Sequence, residues 1–172
     1  MKIRYTDIDP TKLPLLKDLK AGQWITYSGE IITVRDSSQM RLFDIYKKEG
    51  KLPIELKDKV IMYAAPTEGK DIIIGPTTSK RMDCFLDFML EQGVIATIGK
   101  GGRTPQAISA VKKFNAPYLV LMSGVSAYLS KFFVKGEIIA FSDLGPEAVR
   151  RYTASKLPLL VGIDPSGRSI FS

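Results

Sequence analysis

Beyond residue 60 the chain keeps one rhythm, and that rhythm limits the folds open to it. A short run of β-branched and aliphatic residues is followed by a turn marked with Gly, Pro or small polar residues, and then in most repeats by a helical pattern. Val60 to Ala65 and Asp71 to Ile74 read as short strands. Helix 81–90 follows, then strand Val94 to Ile98, the turn Gly99-Lys100-Gly101-Gly102 and helix Pro105 to Phe114. Strand Tyr118 to Met122 leads to a small Ser-rich segment, 123–130. Strand Glu137 to Ser142, helix Pro146 to Tyr152 and strand Pro158 to Ile163 complete the series. Ahead of it, Lys2 to Ile8 reads as a strand and Gln23 to Val34 as a strand or hairpin around Ser28-Gly29. Ser38 to Lys48 reads as an amphipathic helix closed by Gly50. A β-rich front with β/α units behind predicts an α/β domain, a mixed sheet flanked by helices. No repeat or low-complexity linker divides it, so residues 1–172 read as a single domain.

Composition narrows the chemistry. No apolar run approaches the ~20 residues that span a bilayer, and Met1-Lys2-Ile3-Arg4-Tyr5 lacks a signal-peptide core, so the expectation is a soluble, cytoplasmic chain without a membrane partner. The net charge of +7 suits anionic partners. Its Lys and Arg residues are dispersed and carry no nucleic-acid motif, which argues against DNA or RNA. The sequence has no histidine and one cysteine, Cys84, so this chain alone holds neither a near-neutral proton shuttle nor a zinc or iron–sulfur site. Cys84 falls on the apolar side of helix 81–90 and is expected to be a buried, inert thiol.

Chemistry concentrates at three strand-end turns. Val34-Arg35-Asp36 is the first. Gly75-Pro76-Thr77-Thr78-Ser79-Lys80-Arg81-Met82-Asp83 is the second, and Gly99-Lys100-Gly101-Gly102-Arg103 the third. A strand-to-helix turn presents backbone N–H groups at the positive end of a helix, where anions sit, and an arginine about one turn in offers a planar fork of donors. The same residues also describe an ordinary helix start with Thr78 as N-cap. Ligands of open α/β sheets collect at the carboxyl ends of strands, so Arg35, Arg81 and Lys100 converge if their strands are neighbours. Thr104-Pro105 is a good N-cap and first-helical-position pair. Asp83 and Asp87, one turn apart, suit the orientation of nearby cations better than a metal site.

Taken in order, these stretches resemble the beta subunit of class I, iron–sulfur-dependent fumarate and tartrate hydro-lyases. The likeness is carried by Val34-Arg35-Asp36 with Arg41 downstream, Gly75 through Asp83, Gly99-Lys100-Gly101-Gly102, the strand Gly29 to Val34, and Leu157 to Gly167 with its Gly-Ile-Asp-x-x-Gly pattern. It covers nearly the whole chain. The resemblance implies a swivelling β/β/α domain that closes on an alpha subunit carrying a 4Fe-4S cluster, in a heterodimer or dimer of heterodimers. The implied reaction is reversible hydration of fumarate to malate, with tartrate or a methylated fumarate as alternative substrates.

On the same resemblance, Arg35, Arg81 and Lys100 bind the substrate carboxylates, Thr78 adds a hydrogen bond, and Thr77 is the candidate proton-abstracting group. The cluster lies on the partner and no metal on this chain. Relatives often carry histidine in an Arg-Asp-x-x-His arrangement where this chain has Gln39, so Gln39 marks a possible replaced acid–base position. The competing class is a non-catalytic anion-binding module built on the same turns.

Overall fold

The computed structural model describes residues 3–69 and 72–171. In chain order the strands and helices are β1 (Thr6–Ile8), β2 (Trp24–Val34), α1 (Asp36–Glu49), β3 (Val60–Tyr63), β4 (Thr67–Glu68), β5 (Ile72–Ile73), α2 (Leu86–Glu91), β6 (Ala96–Gly99), α3 (Pro105–Phe114), β7 (Tyr118–Val120), α4 (Ser126–Leu129), β8 (Phe133–Ala140) and β9 (Val149–Ile163). The fold is α/β with a mixed sheet and helices, as expected. No described helix is long and apolar enough to cross a membrane.

Strand pairing returns on itself. β2, β3, β6 and β7 pair successively in parallel. β9 then pairs antiparallel with β7 and, along most of its length, with β2. Five strands therefore form a closed ring, with β1 added to the first half of β2 and β8 to the first half of β9. Side chains alternate across a strand, so a ring sorts them into two cores. Val60, Met62, Ile98, Leu119 and Val161 point inward with Ile31 and Leu159. Ile61, Tyr63, Val34, Tyr118 and Ile163 point outward and are covered by α1, α2 and α3 through Leu42, Leu86, Met89 and Val111.

Local chemistry sets most element ends. Gly50 closes α1 at φ 69°, and Thr104 caps α3 by accepting from Ala107 N–H at 3.3 Å. The segment Gln23 to Val34 is one strand rather than a hairpin. Gly29, at φ 147°, absorbs an irregularity in the β2–β9 register, opposite which Lys156 (φ 55°) shifts β9's inward set from Tyr152 and Ala154 to Leu157 and Leu159.

Two expected helices differ. The first half of 81–90 is wound as a tighter 3₁₀ turn, Ser79–Phe85, before α2. At three residues per turn Ser79 and Met82 share the buried face, with half-buried Phe85 next along it, and Cys84 is turned outward and exposed, contrary to the buried thiol expected. Pro146 to Tyr152 is not a helix: a 3₁₀ turn, Ser142–Glu147, ends where β9 begins at Val149. There, pairing with both β2 and β8 overrides helix-favouring residues such as Arg150 and Arg151. The expected strand Lys2 to Ile8 is shortened to Thr6–Ile8, and both Lys2 and Asp71 lie outside the described residues.

Candidate functional site

The parallel strands β3 and β6 end side by side, and Gly75–Thr78 extends the pattern across their carboxyl ends. Thr77 N–H donates to the Tyr63 carbonyl at 2.6 Å and Ser79 N–H to the Lys100 carbonyl at 3.0 Å, with Thr78 and Lys100 paired in parallel. This seam demands a bare backbone at residue 99. A Cβ on Gly99 would stand 1.8 Å from Ser79 Oγ and 3.1 Å from the Tyr63 ring, both fully buried.

A polar cavity of about 300 Å³ opens above the seam. Arg35, Thr77 and Lys100 line it from the strand-end turns. Thr67 and Ile73 contribute from the β4–β5 hairpin, and Ser123 and Ser126 from the segment entering α4. The structure thus brings Arg35, Thr77 and Lys100 together from three different turns. Lys100 has no ion-pair partner among the described residues, so its charge is left to whatever enters the cavity. Arg35 is the N-cap of α1. Its backbone N–H donates to Ser38 Oγ at 2.9 Å and its carbonyl accepts from Gln39 N–H at 3.0 Å, which fixes where the guanidinium starts.

The other three candidates sit around the cavity rather than in its wall. Arg81 is half-exposed and pairs with Asp36; the same Asp36 oxygen lies 3.5 Å from Arg35 Nε, so the two guanidinium groups flank one carboxylate on the same rim. Thr78 is exposed, and as N-cap of the 3₁₀ turn it makes no side-chain capping bond. Gln39 is fully buried beneath the rim, its Nε2 3.1 Å from Met82 Sδ and its Oε1 without a hydrogen-bond partner.

Below the seam lies a buried ion pair that sequence reasoning missed. Arg103 Nε pairs with Asp83, the Arg103 side chain has no exposure, and its guanidinium lies 5.2 Å from the Tyr63 ring centroid and 4.9 Å from that of Tyr118. Asp83 also accepts from Thr104 N–H at 2.7 Å. The Tyr118 hydroxyl is within hydrogen-bonding distance of Ser79 Oγ (2.9 Å) and the Gly101 carbonyl (2.8 Å), and burial pushes its pKa up to about 12. Asp83 and Arg103 each sit inside a motif visible in the sequence. Nothing in their 20-residue separation says that they meet. A larger, mostly apolar cavity of about 540 Å³ lies at the opposite ends of the strands, near Leu13, Gly93 and Phe114, where no cations converge.

Among the described residues, no group of three or more His, Cys, Asp or Glu side chains comes together to hold a metal ion. With one exposed cysteine, the residues of this chain do not fit an iron–sulfur cluster.

Residues 3–172 match the family described as Fumarase C-terminus. A Methanocaldococcus jannaschii protein provisionally named L(+)-tartrate dehydratase subunit beta is 32% identical over 166 residues, covering 91% of this chain and 85% of the relative. The L(+)-tartrate dehydratase subunit beta of Escherichia coli K12 is 29% identical over 172 residues, covering 95% and 84%. The mitochondrial fumarate hydratase 1 of Leishmania major is 32% identical over 153 residues, covering 86% of this chain but 28% of that protein. The chain therefore spans most of the length of the separate beta subunits and little more than a quarter of the longer enzyme. With its cationic strand-end seam and a match over almost all of its residues, this chain belongs to the fumarase C-terminus family.

Proposed function

We propose that this chain is the beta-type subunit of a hydro-lyase that reversibly hydrates fumarate to malate. Its role is to supply the carboxylate clamp, and it works with an alpha partner that carries a 4Fe-4S cluster. The observation that carries this reading is the meeting of Arg35, Lys100 and Thr77 around one polar cavity in which Lys100 has no counter-ion among the described residues. A dicarboxylate brings two negative charges. Each well-placed cation contributes roughly 1–4 kcal/mol at effective dielectrics between 80 and 20.

Arg35 and Lys100 hold the two carboxylates, which fixes the substrate carbons relative to the Thr77 hydroxyl. Arg81, which shares Asp36 with Arg35, binds substrate carboxylate from the rim, and Thr78 adds a hydrogen bond from the exposed side of the seam. Thr77 is assigned the proton position. Its hydroxyl needs stabilisation as it loses a proton, and the neighbouring cations provide the field. A cluster held by the partner would supply Lewis-acid activation of the substrate. None of its ligands comes from this chain.

A second substrate, tartrate, is favoured by two observations. Two of the relatives carry the name of tartrate dehydratase beta subunits, and Ser123 and Ser126 line the same cavity as the cations. Anaerobic assembly with the alpha partner, followed by malate and tartrate dehydration assays, tests both. The proposal expects activity only with both chains present and little dicarboxylate affinity in the isolated chain. Tight phosphate-ligand binding by the isolated chain, without hydro-lyase activity in the complex, would instead establish the anion-binding module.

A further inference from the structure

The segment Ser142–Glu147 reaches the cavity rim from far along the chain, and it does so through one carboxylate. Glu147 Oε2 accepts from Ser37 N–H, in the first turn of α1, at 3.0 Å, while its Oε1 lies 3.7 Å from Arg35 Nε. That Arg35 nitrogen is closed off from solvent and makes no hydrogen bond. Its positive edge is therefore balanced only by nearby carboxylates, Asp36 at 3.5 Å and Glu147. Asp36 is already engaged by Arg81. Among the described residues Glu147 has no other cation, so of the two carboxylates it is the one that Arg35 does not share.

The segment carrying Glu147 is itself fastened to α1. Arg41 reaches both carboxylate oxygens of Asp143, at 2.8 and 2.9 Å, and stacks 5.0 Å from the Phe141 ring centroid. Gly145 (φ 58°) and Pro146 set the backbone just ahead of Glu147, and Ala148 N–H closes the turn on the Gly145 carbonyl at 3.0 Å.

We infer that Glu147 is a positioning residue: by holding the Nε edge of Arg35 it presents the terminal guanidinium nitrogens, which have no partner among the described residues, to a carboxylate in the cavity. The inference rests on the proposed reading of that cavity as a dicarboxylate site. Glu147 performs two separable tasks. Accepting from Ser37 N–H needs only an acceptor oxygen, whereas holding Arg35 needs the negative charge.

Glu147→Gln keeps the acceptor and removes the charge, and Glu147→Ala removes both. In the assembled enzyme, Glu147→Gln is expected to keep the wild-type melting temperature yet raise KM for the dicarboxylate about 5-fold or more with kcat little changed, the pattern of lost uniform binding. Glu147→Ala should lower the melting temperature as well. In the isolated chain, phenylglyoxal modification followed by peptide mass mapping reads the arginines directly. Arg35 should react about 3-fold faster in both variants than in wild type, with the exposed Arg168, which shares no carboxylate with Arg35, as the internal reference. Wild-type KM together with wild-type Arg35 reactivity in Glu147→Gln would reduce Glu147 to a helix cap and overturn the inference. If the wild-type complex has no hydro-lyase activity, the proposed function fails, and the arginine-reactivity measurement still decides whether Glu147 holds Arg35.

Discussion

Arg35 and Lys100 follow directly on β2 and β6 in a ring whose outer face is covered by helices, and Thr77 is bonded across the end of β3 between them. Their convergence is a consequence of parallel pairing between β2, β3 and β6. That much is visible in the sequence, because a cation or hydroxyl directly after an apolar run marks a strand's carboxyl end. Cys84 shows where residue-scale reading fails. A 3.6-residue period places it inward, while the 3₁₀ winding of Ser79–Phe85 places it outward. Cys84→Ser is therefore expected to change stability by no more than about 0.5 kcal/mol, as for other exposed positions, measured by urea denaturation.

Asp164 behaves oppositely. Burial pushes its carboxyl pKa up. Hydrogen bonds from the Ser166 hydroxyl and from the Ala21, Arg168 and Ser166 backbone N–H groups outweigh that and hold it below the ordinary 3.8. The folded state thus binds this proton less readily than the unfolded chain. The resulting stability is fully present above pH 3.8 and is lost as pH falls through the lower folded value. Asp164→Asn should destabilise the protein clearly at pH 7, and the gap from wild type should narrow below pH 3.8 in acid unfolding curves.

At the scale of elements, the seam depends on the Asp83–Arg103 pair joining the Ser79–Phe85 turn to the start of α3. Removing one member of a buried pair leaves an uncompensated charge, so Asp83→Ala is expected to cost about 3–5 kcal/mol in urea unfolding. A loss below about 1 kcal/mol would mean that packing of Tyr63 and Tyr118 against Arg103 suffices without the ion pair. The sequence shows both turns as motifs but not the bond between them, because a side-chain partner about twenty residues away leaves no periodic trace. Helix α3 was legible to the residue, since Thr104-Pro105 fixes its start and a left-handed Asn115 its end. The start of β9 was not. Its residues carry helix-favouring chemistry, and pairing with β8 on one side and with β2, more than a hundred positions earlier, on the other makes them a strand.

At the scale of the whole molecule, closure of the ring by β9 creates an inner core and an outer one, and it also delivers Glu147 to the N-terminus of α1. The alternation behind residue 60 announces the parallel part of this design. The closure is a long-range event that local patterns do not encode, and the carboxylate it brings to Arg35 was invisible for the same reason. A ring with its cations gathered at one end and no ligands for a cluster is half of an active site in the proposed account. On that proposal the second half comes from another chain.

The most direct measurement is kcat/KM for dicarboxylate dehydration by the reconstituted complex, comparing wild type with Lys100→Met, which keeps the side chain's bulk and removes its charge. The account predicts a fall of about 100-fold or more, equivalent to ~3 kcal/mol of lost substrate stabilisation. Wild-type kcat/KM in a complex containing Lys100→Met would contradict it.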